Sequence, residues 1–316
     1  MTASLQVIVT GFTDLAPGLR EIRLGAADGT PLPVYSAGSH VVVSVPLADR
    51  VQHNPYSLLG DPEDRGTWRI AVRRQEASRG GSAWLHTQLQ AGQRLAVSAP
   101  VNLFPLVRTA RHHLLVAGGI GITPILSQAR ALARLGASFE VHYAYRSADA
   151  AVYREELEAL APGRVVAHDA SQGHLIDFQR LLAGRPLGTH FYICGPAAMV
   201  EAAMAAGAAL GWPASALHSE QFIAPQGGEP FDVVLSRSGR RLTVPADRTL
   251  LEVLEAAGAA VEAMCRGGAC GRCATAVLAA EGELVHADVY LDASERQRTI
   301  MPCVSRLKGG CLTVDL

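Results

Sequence analysis

The chain has 316 residues and a formal net charge of -1, which argues against a nucleic-acid-binding protein because such proteins normally carry a basic excess. Its six cysteines are too few for the disulfide framework of a small secreted protein. The N-terminal segment lacks the basic and apolar regions of a secretory signal. The longest apolar stretch, residues 113–126, contains three glycines and a proline, which argues against a membrane span. We therefore expect a cytoplasmic protein with two or three domains.

Residues 1–107 contain short strand-like runs that are separated by clusters of Gly, Pro and Asp. The clearest runs are residues 5–10, 39–45 and 68–73. This pattern predicts an antiparallel β-barrel or sandwich.

Two short segments of this first part suggest ligand contacts. Asn54-Pro55-Tyr56-Ser57 offers an aromatic face and a hydroxyl group suited to a flat heterocycle. Arg79-Gly80-Gly81-Ser82 offers a guanidinium group, backbone amides and a hydroxyl group suited to a phosphate. Taken alone, either segment could equally be an ordinary turn.

From residue 108 to 222 strands alternate with helices. The pattern predicts strands at 113–117, 139–145, 164–167 and 190–194, with helices at 125–135 and 153–160. Such alternation is typical of a parallel α/β sheet.

A glycine-rich turn directly follows the first of these strands. It comprises Gly118, Gly119, Ile120, Gly121, Ile122, Thr123 and Pro124. Glycines at this place let the backbone approach a pyrophosphate, the helix N-terminus supplies amide donors, and Pro124 suits the first helical position. The third glycine of the standard dinucleotide fingerprint is missing, so a tight turn without a ligand is the alternative.

A second candidate ligand site ends a later strand of the same sheet. Cys194, Gly195 and Pro196 are expected to lie in the crevice at the carboxyl ends of the strands, where open α/β sheets bind ligands. Alternatively, Cys194 is a small buried hydrophobic residue.

Residues 223–230 are rich in Pro and Gly and are predicted to form a linker to a third domain at residues 231–316. A hairpin of residues 231–235 and 241–244 and a helix at 250–257 precede the most informative motif of the chain. That motif is a C-x4-C-x2-C pattern with a distant fourth cysteine, formed by Cys265, Cys270, Cys273 and Cys303. It is the plant-type signature of a 2Fe-2S cluster. Gly267 and Gly268 are expected to give the loop positive φ values, and a structural zinc site is the alternative.

Together and in this order, these motifs resemble the phthalate dioxygenase reductase-type family, the flavin and iron-sulfur reductases of Rieske oxygenase systems. The resemblance covers the whole chain. It implies an FMN-binding β-barrel at 1–107, an NAD-binding α/β domain at 108–222 and a plant-type, β-grasp-like α+β ferredoxin domain at 231–316.

The resemblance also implies roles for the residues of the first domain. The family binds its flavin with an Arg-x-Tyr-Ser motif, so Tyr56 would pack on the isoalloxazine and Ser57 would hydrogen-bond near N5. Asn54 stands where the family has arginine, and Arg79 is a candidate to supply the missing charge. Arg79, Gly80, Gly81 and Ser82 match the family's phosphate loop.

In the nucleotide domain, residues 118–124 match the family's pyrophosphate turn, and Cys194, Gly195 and Pro196 match the segment beside the nicotinamide. Residues 218–222 resemble the segment that closes this domain beside the flavin. Ser57, Cys194 and Glu220 are therefore the catalytic candidates, and Phe222 is a candidate cofactor contact. NADH is expected to be preferred over NADPH, although Arg146, which follows the strand at 139–145, could accept a 2′-phosphate.

By resemblance, the chain would be a monomeric, NADH-dependent reductase that passes electrons through FMN and a 2Fe-2S cluster to a separate Rieske-type oxygenase. Three alternatives remain open. The chain could be a stand-alone NADH diaphorase, a reductase that serves a haem monooxygenase, or an iron-sulfur scaffold or sensor without turnover. The substrate of the oxygenase cannot be inferred from this chain.

Overall fold

The computed structural model describes residues 4–76, 79–225 and 227–316. Contacts within the described chain divide it into two compact units. The first contains residues 4–52 and 56–222, and the second contains residues 53–55 and 223–316. None of the helices in the described ranges is long and apolar enough to cross a membrane.

The chain begins with a seven-stranded antiparallel sheet, which belongs to the first unit apart from residues 53–55 of one strand. Its strands are β1 (Ser4–Ala16), β2 (Leu19–Ala26), β3 (Ser39–Pro46), β4 (Val51–Ser57), β5 (Trp68–Arg73), β6 (Arg94–Ser98) and β7 (Val101–Asn102). The order is β4-β3-β6-β1-β2-β5, and β7 pairs with β3. Strand β4 lies at the end of this order and contains Pro55, which suits an edge because proline cannot donate to a ladder. A short helix, α1 (Gly81–Thr87), follows β5.

The second half of this unit is a five-stranded parallel sheet. Its strands are β8 (His112–Gly118), β9 (Phe139–Tyr145), β10 (Val165–Asp169), β11 (Thr189–Cys194) and β12 (Leu217–Glu220), and its helices are α2 (Ile122–Arg134), α3 (Arg154–Leu160), α4 (Phe178–Leu182) and α5 (Ala197–Ala209). The strand order is β10-β9-β8-β11-β12. The chain winds outward from β8 in one direction and returns beside β8 as β11, so the carboxyl ends of β8 and β11 form the topological switch point.

One hydrophobic core joins the two sheets of the first unit. Leu19, Leu59 and Ala71 from the antiparallel part pack in the same buried cluster as Leu115 and Tyr143 from the parallel part. Because the two parts share one buried cluster, a displacement of one against the other would break its contacts.

The second unit is a mixed sheet with one helix. Its elements are β13 (Phe231–Leu235), β14 (Arg241–Val244), α6 (Leu250–Ala256), β15 (Thr275–Ala280), β16 (Glu283–Val285), β17 (Thr299–Ile300), β18 (Arg306–Lys308) and β19 (Cys311–Val314). The main sheet has the order β14-β13-β19-β15-β17, with β13 and β19 parallel, while β16 pairs with β18. A capping box of Thr249 and Glu252 starts α6.

Most of the predicted elements are present, and two helix starts differ from prediction. Helix α2 begins at Ile122 rather than at residue 125, because a 3-10 turn over Gly119–Gly121 runs directly into it. Pro124 is accordingly the third helical residue and not the first. Helix α3 begins at Arg154, since Tyr153 adopts a left-handed conformation with φ 63°.

Candidate functional site

The four motif cysteines are brought together in the second unit. Cys265, Cys270 and Cys273 lie in the loop between α6 and β15, and Cys303 lies between β17 and β18. Three of them are buried, and Cys270 is partly exposed. The thiols lie in two neighbouring pairs, Cys265 with Cys270 and Cys273 with Cys303. Among the described residues, no group of three or more His, Cys, Asp or Glu side chains converges on a single metal-ion position.

Hydrogen bonds favour thiolate at two of the four sulfurs. The Cys270 thiol and the backbone amides of Gly267, Ala269 and Cys270 lower the pKa of Cys265 to about 5, against the opposing effect of burial. The Cys303 thiol likewise lowers the pKa of Cys273. The pKa values of Cys270 and Cys303 rise because each keeps its proton for a hydrogen bond to its partner sulfur and because both thiols are removed from water. Two pairs of sulfurs surrounded by amide donors suit the four thiolate ligands of a two-iron cluster.

Backbone conformation shapes the loop that carries these sulfurs. Gly268 and Gly271 have φ values of 72° and 74°. The expected positive φ at Gly267 is wrong, and Arg266 adopts it instead with φ 51°. A Cβ atom at Gly271 would lie 2.3 Å from Cζ of Tyr290, so the ring of Tyr290 packs where any larger residue would clash.

The arginines of this loop are ion-paired. The Nη1 atom of Arg266 lies 3.0 Å from Oε2 of Glu255, and the second guanidinium nitrogen also contacts this carboxylate. Arg272 lies 3.3 Å from Glu262. The loop therefore presents little unbalanced positive charge.

In the first unit the glycine-rich turn packs directly on the Cys194 segment. A Cβ atom at Gly121 would lie 2.1 Å from the carbonyl oxygen of Cys194. A Cβ atom at Gly118 would lie 2.7 Å from both Pro196 Cδ and Met199 Sδ. The absence of side chains allows α2 and α5 to begin side by side at the switch point, with the amide donors of both helices near the crevice.

The other residues of the turn have structural contacts of their own. Thr123 is buried, and its hydroxyl group donates to the carbonyl of Ile120 at 3.1 Å. Gly119 has φ 53°, and the Arg73 guanidinium lies 3.9 Å from where its Cβ atom would be. Sequence reasoning missed Arg73, which brings a cation from the antiparallel sheet to the predicted pyrophosphate turn.

Cys194 and Glu220 are neighbours at the carboxyl ends of β11 and β12. They are register partners, and Cys194 also pairs with Ala117 of β8. Burial and the nearby Glu220 raise the pKa of the Cys194 thiol, which therefore stays protonated. Burial raises the pKa of Glu220 to about 8. Its Oε2 atom is buried and has no hydrogen-bond partner within the described part of the chain. An unpartnered carboxyl group at a switch point suits an amide-bearing ligand such as nicotinamide.

The predicted flavin residues Asn54, Tyr56 and Ser57 all lie on β4. Tyr56 packs partly against the buried core of the antiparallel sheet, and Ser57 is buried at the end of the strand. Asn54 and Tyr56 lie two residues apart on β4, so they share one face of the strand. Phe222, two residues after β12, is 49% exposed.

The predicted phosphate loop leads into α1. Gly80 is the N-cap residue of the helix, and the hydroxyl group of Ser82 accepts a hydrogen bond from the Gln75 amide at 3.1 Å. The carbonyl of Arg79 accepts a hydrogen bond from the Arg50 guanidinium at 2.9 Å. Sequence reasoning also missed Arg50, because 29 residues separate it from the loop that it contacts.

Comparisons with known proteins agree with this geometry. Residues 98–217 match the family model for the N-terminal domain of dimethylamine monooxygenase subunit DmmA-like proteins, and residues 233–308 match the 2Fe-2S iron-sulfur cluster binding domain. The chain is 47% identical to the heme-dependent oxidative N-demethylase beta subunit of Ectopseudomonas mendocina (strain ymp), with 100% of both chains covered. It is 43% identical to the carnitine monooxygenase reductase subunit of Escherichia coli (strain K12), with 98% of both covered.

The solved structure of phthalate dioxygenase reductase matches with a TM-score of 0.89 at 35% identity, covering 99% of this chain and 98% of that one. The chain belongs to the phthalate dioxygenase reductase-type family. Membership confirms the predicted fold of an antiparallel barrel, a parallel-sheet nucleotide domain and a ferredoxin domain. It also confirms an iron-sulfur flavoprotein oxidoreductase that serves as the reductase component of a multicomponent oxygenase, with FMN, NAD and a 2Fe-2S cluster as cofactors. The domain boundaries and the roles of single residues stay predictions.

Proposed function

We propose that this reductase takes electrons from NADH and delivers them, through FMN and a 2Fe-2S cluster, to a separate Rieske-type oxygenase. The observation that carries the proposal is the coexistence in one chain of the four paired thiols and the Cys194–Glu220 crevice. When bound, FMN accepts a hydride and releases electrons singly, which joins two-electron donors to one-electron acceptors.

The parallel sheet is the proposed NADH site. The N-termini of α2 and α5 would bind the pyrophosphate, and the glycines at 118, 119 and 121 would let it approach the backbone amides closely. Cys194 and Glu220 would hold the nicotinamide, with Glu220 protonated at neutral pH and able to donate to the carboxamide. Asp149 and Asp169, which follow β9 and end β10, would repel a 2′-phosphate near Arg146 and favour NADH.

The antiparallel sheet is the proposed FMN site. Tyr56 would pack on the isoalloxazine, Ser57 would donate to it, and residues 79–82 would bind the phosphate. Arg50 contacts this loop directly and is also ion-paired with Asp49 at 3.1 Å. We assign to its guanidinium, together with that of Arg79, the phosphate contact that Asn54 does not supply.

Cys265, Cys270, Cys273 and Cys303 are the proposed cluster ligands. The amides that now donate to Cys265 would continue to donate to a bound thiolate and stabilise its charge. We further propose that the protein is cytoplasmic and that it acts as a monomer. Light scattering coupled to gel filtration tests the monomeric state.

Reconstitution with candidate acceptors tests the proposal. The purified reductase with NADH should support product formation by a Rieske-type oxygenase. A haem-dependent N-demethylase is the second candidate acceptor, favoured by the 47% identity to the beta subunit of such an enzyme. Product formation only with the haem protein would replace the first proposal by the second. Reduction of ferricyanide with no transfer to either oxygenase would indicate a diaphorase.

A further inference from the structure

A buried carboxylate of the antiparallel sheet reaches the parallel sheet. Glu21 lies in β2 and is 6% exposed. Its Oε2 atom accepts a hydrogen bond from the Arg69 guanidinium at 2.7 Å and another from the Tyr153 hydroxyl at 3.0 Å. Tyr153 precedes α3 in the nucleotide-binding half of the unit. A charged acceptor from one sheet therefore fixes a side chain of the other.

Arg69 extends this contact into a network. It donates to both carboxylate oxygens of Glu156 in α3, at 2.7 and 2.9 Å. Arg130 of α2 also pairs with Glu156. The Arg69 guanidinium lies 5.7 Å from the centre of the Tyr153 ring. The network thus ties β2 and β5 to the first turn of α3 and to the second half of α2.

Tyr153 has a strained backbone. It is one of two non-glycine residues in the described ranges with positive φ, and its φ of 63° and ψ of 6° are left-handed. Residues with side chains adopt this conformation only where their surroundings hold them in it, and such strain concentrates at functional sites. The hydrogen bond to Glu21 and the packing of the ring against the Arg69 guanidinium keep Tyr153 in this conformation.

The strained residue ends the loop at the carboxyl end of β9. A second contact holds this loop, residues 146–152, because the Tyr143 hydroxyl group donates a hydrogen bond to the carbonyl of Val152 at 3.1 Å. Within it, the Ser147 hydroxyl group donates to Asp149. In open α/β sheets such a loop contacts the adenosine ribose of a dinucleotide.

We infer that Glu21 and Tyr153 are positioning residues for the pyridine nucleotide. Glu21 fixes Tyr153, and Tyr153 fixes the loop 146–152 that receives the adenosine end. The inference rests on the proposed NADH site in the parallel sheet. According to this inference, Glu21 of the flavin-binding sheet changes the affinity for the nucleotide although it does not contact the nucleotide.

Two conservative variants, each purified with its cofactors, test the inference. Tyr153→Phe removes the hydroxyl group and keeps the ring, while Glu21→Gln keeps the shape of the acceptor and removes its charge. Each should raise both KM for NADH and Kd for ADP-ribose by about three- to tenfold, because Tyr153→Phe removes one buried hydrogen bond and Glu21→Gln weakens it by removing the charge of the acceptor. The kcat for ferricyanide reduction should change by less than about twofold. Because the two residues act through one contact, the double variant should show no larger effect than either single variant.

Tyr192→Phe is the matched control. Its hydroxyl group accepts a hydrogen bond from the Val107 amide at 2.8 Å, so the variant loses a comparable buried contact of the same sheet away from the loop. It should lower Tm without changing Kd for ADP-ribose. If Tyr153→Phe and Glu21→Gln also lowered only Tm, the network would be merely structural and the inference would be overturned while the proposed function stood. Failure of the wild-type protein to oxidise NADH or bind ADP-ribose would overturn both.

Discussion

Glu220 has a buried carboxyl group that connects the proposed nucleotide site with the stability of the fold. Its carboxyl group has a usual pKa of about 4.5, which burial raises to about 8. Between these values the folded state keeps a proton that the unfolded state has lost. The stability contributed by the neutral carboxyl group is complete below about pH 4.5 and is lost progressively as the pH rises to about 8.

Glu220→Gln should therefore stabilise the protein more at high pH than at low pH, because glutamine never ionises. We expect the Tm advantage of the variant over the wild type to be at least about 2–4 °C larger at pH 9 than at pH 6, which corresponds to about 1 kcal/mol. Differential scanning calorimetry at both pH values measures it. An equal Tm difference at pH 6 and pH 9 would show that Glu220 does not titrate in this range.

The sequence was informative about residues wherever the signal was local. Cys265, Cys270 and Cys273 reveal a cluster loop because the ligands of one loop must recur at fixed spacing. The contacts of Arg50, Arg73 and Glu21 carry no such signal, since each partner is distant in the chain. The left-handed backbone conformation of Tyr153 could not be predicted from the sequence either, because a tyrosine has no intrinsic preference for that conformation.

At the scale of elements, the candidate sites lie where strands lead into helices. Helices α1, α2 and α5 each begin at a glycine-containing or proline-containing turn. Strands β5, β9, β13 and β14 agree with the predicted bounds, because their hydrophobic patterns are clear. Helices α1 and α5 were not assigned from the sequence. The first begins inside the segment that was interpreted as a phosphate loop, and the second is so rich in alanine that its polar and apolar faces hardly differ.

The turn between β3 and β4 and the loop before α1 together form the proposed phosphate site, which gives an element-scale prediction. Arg50→Ala removes a cation that is hydrogen-bonded to the loop. We expect Kd for FMN to rise by about 10-fold or more, since a charge-assisted hydrogen bond is worth about 1.5–3 kcal/mol. Titration of the apoprotein with FMN, followed by flavin fluorescence, measures this change.

Arg134→Ala is the control for that experiment, because Arg134 is an arginine of the same unit whose partners are the exposed carboxylates of Asp61 and Glu63. It should leave Kd for FMN unchanged. Asn54→Arg in the Arg50→Ala background restores the arginine of the family motif and should recover part of the affinity. If Arg50→Ala bound FMN as tightly as the wild type, another group would hold the phosphate.

At the scale of the whole molecule, the two units have separate hydrophobic cores. The second unit contains one cluster around Phe231, Val233 and Leu250 and another around Met301, next to the cysteine loop. Units with their own cores are expected to keep their folds when the other is damaged. Loss of the iron-sulfur cluster should therefore leave the first unit able to bind FMN and oxidise NADH.

The order of electron transfer is the central claim, and Cys303→Ser tests it most directly. Cys303→Ser and, as a control, Cys311→Ser are compared for iron content and for NADH-dependent reduction of ferricyanide and cytochrome c. Cys311 lies in β19, outside the cysteine loop, so its variant should match the wild type in all three. Cys303→Ser should lose the cluster and reduce cytochrome c at less than about one-tenth of the wild-type rate, while it retains ferricyanide reduction. An unchanged rate with cytochrome c after loss of the cluster would contradict the account, because electrons would then leave from the flavin.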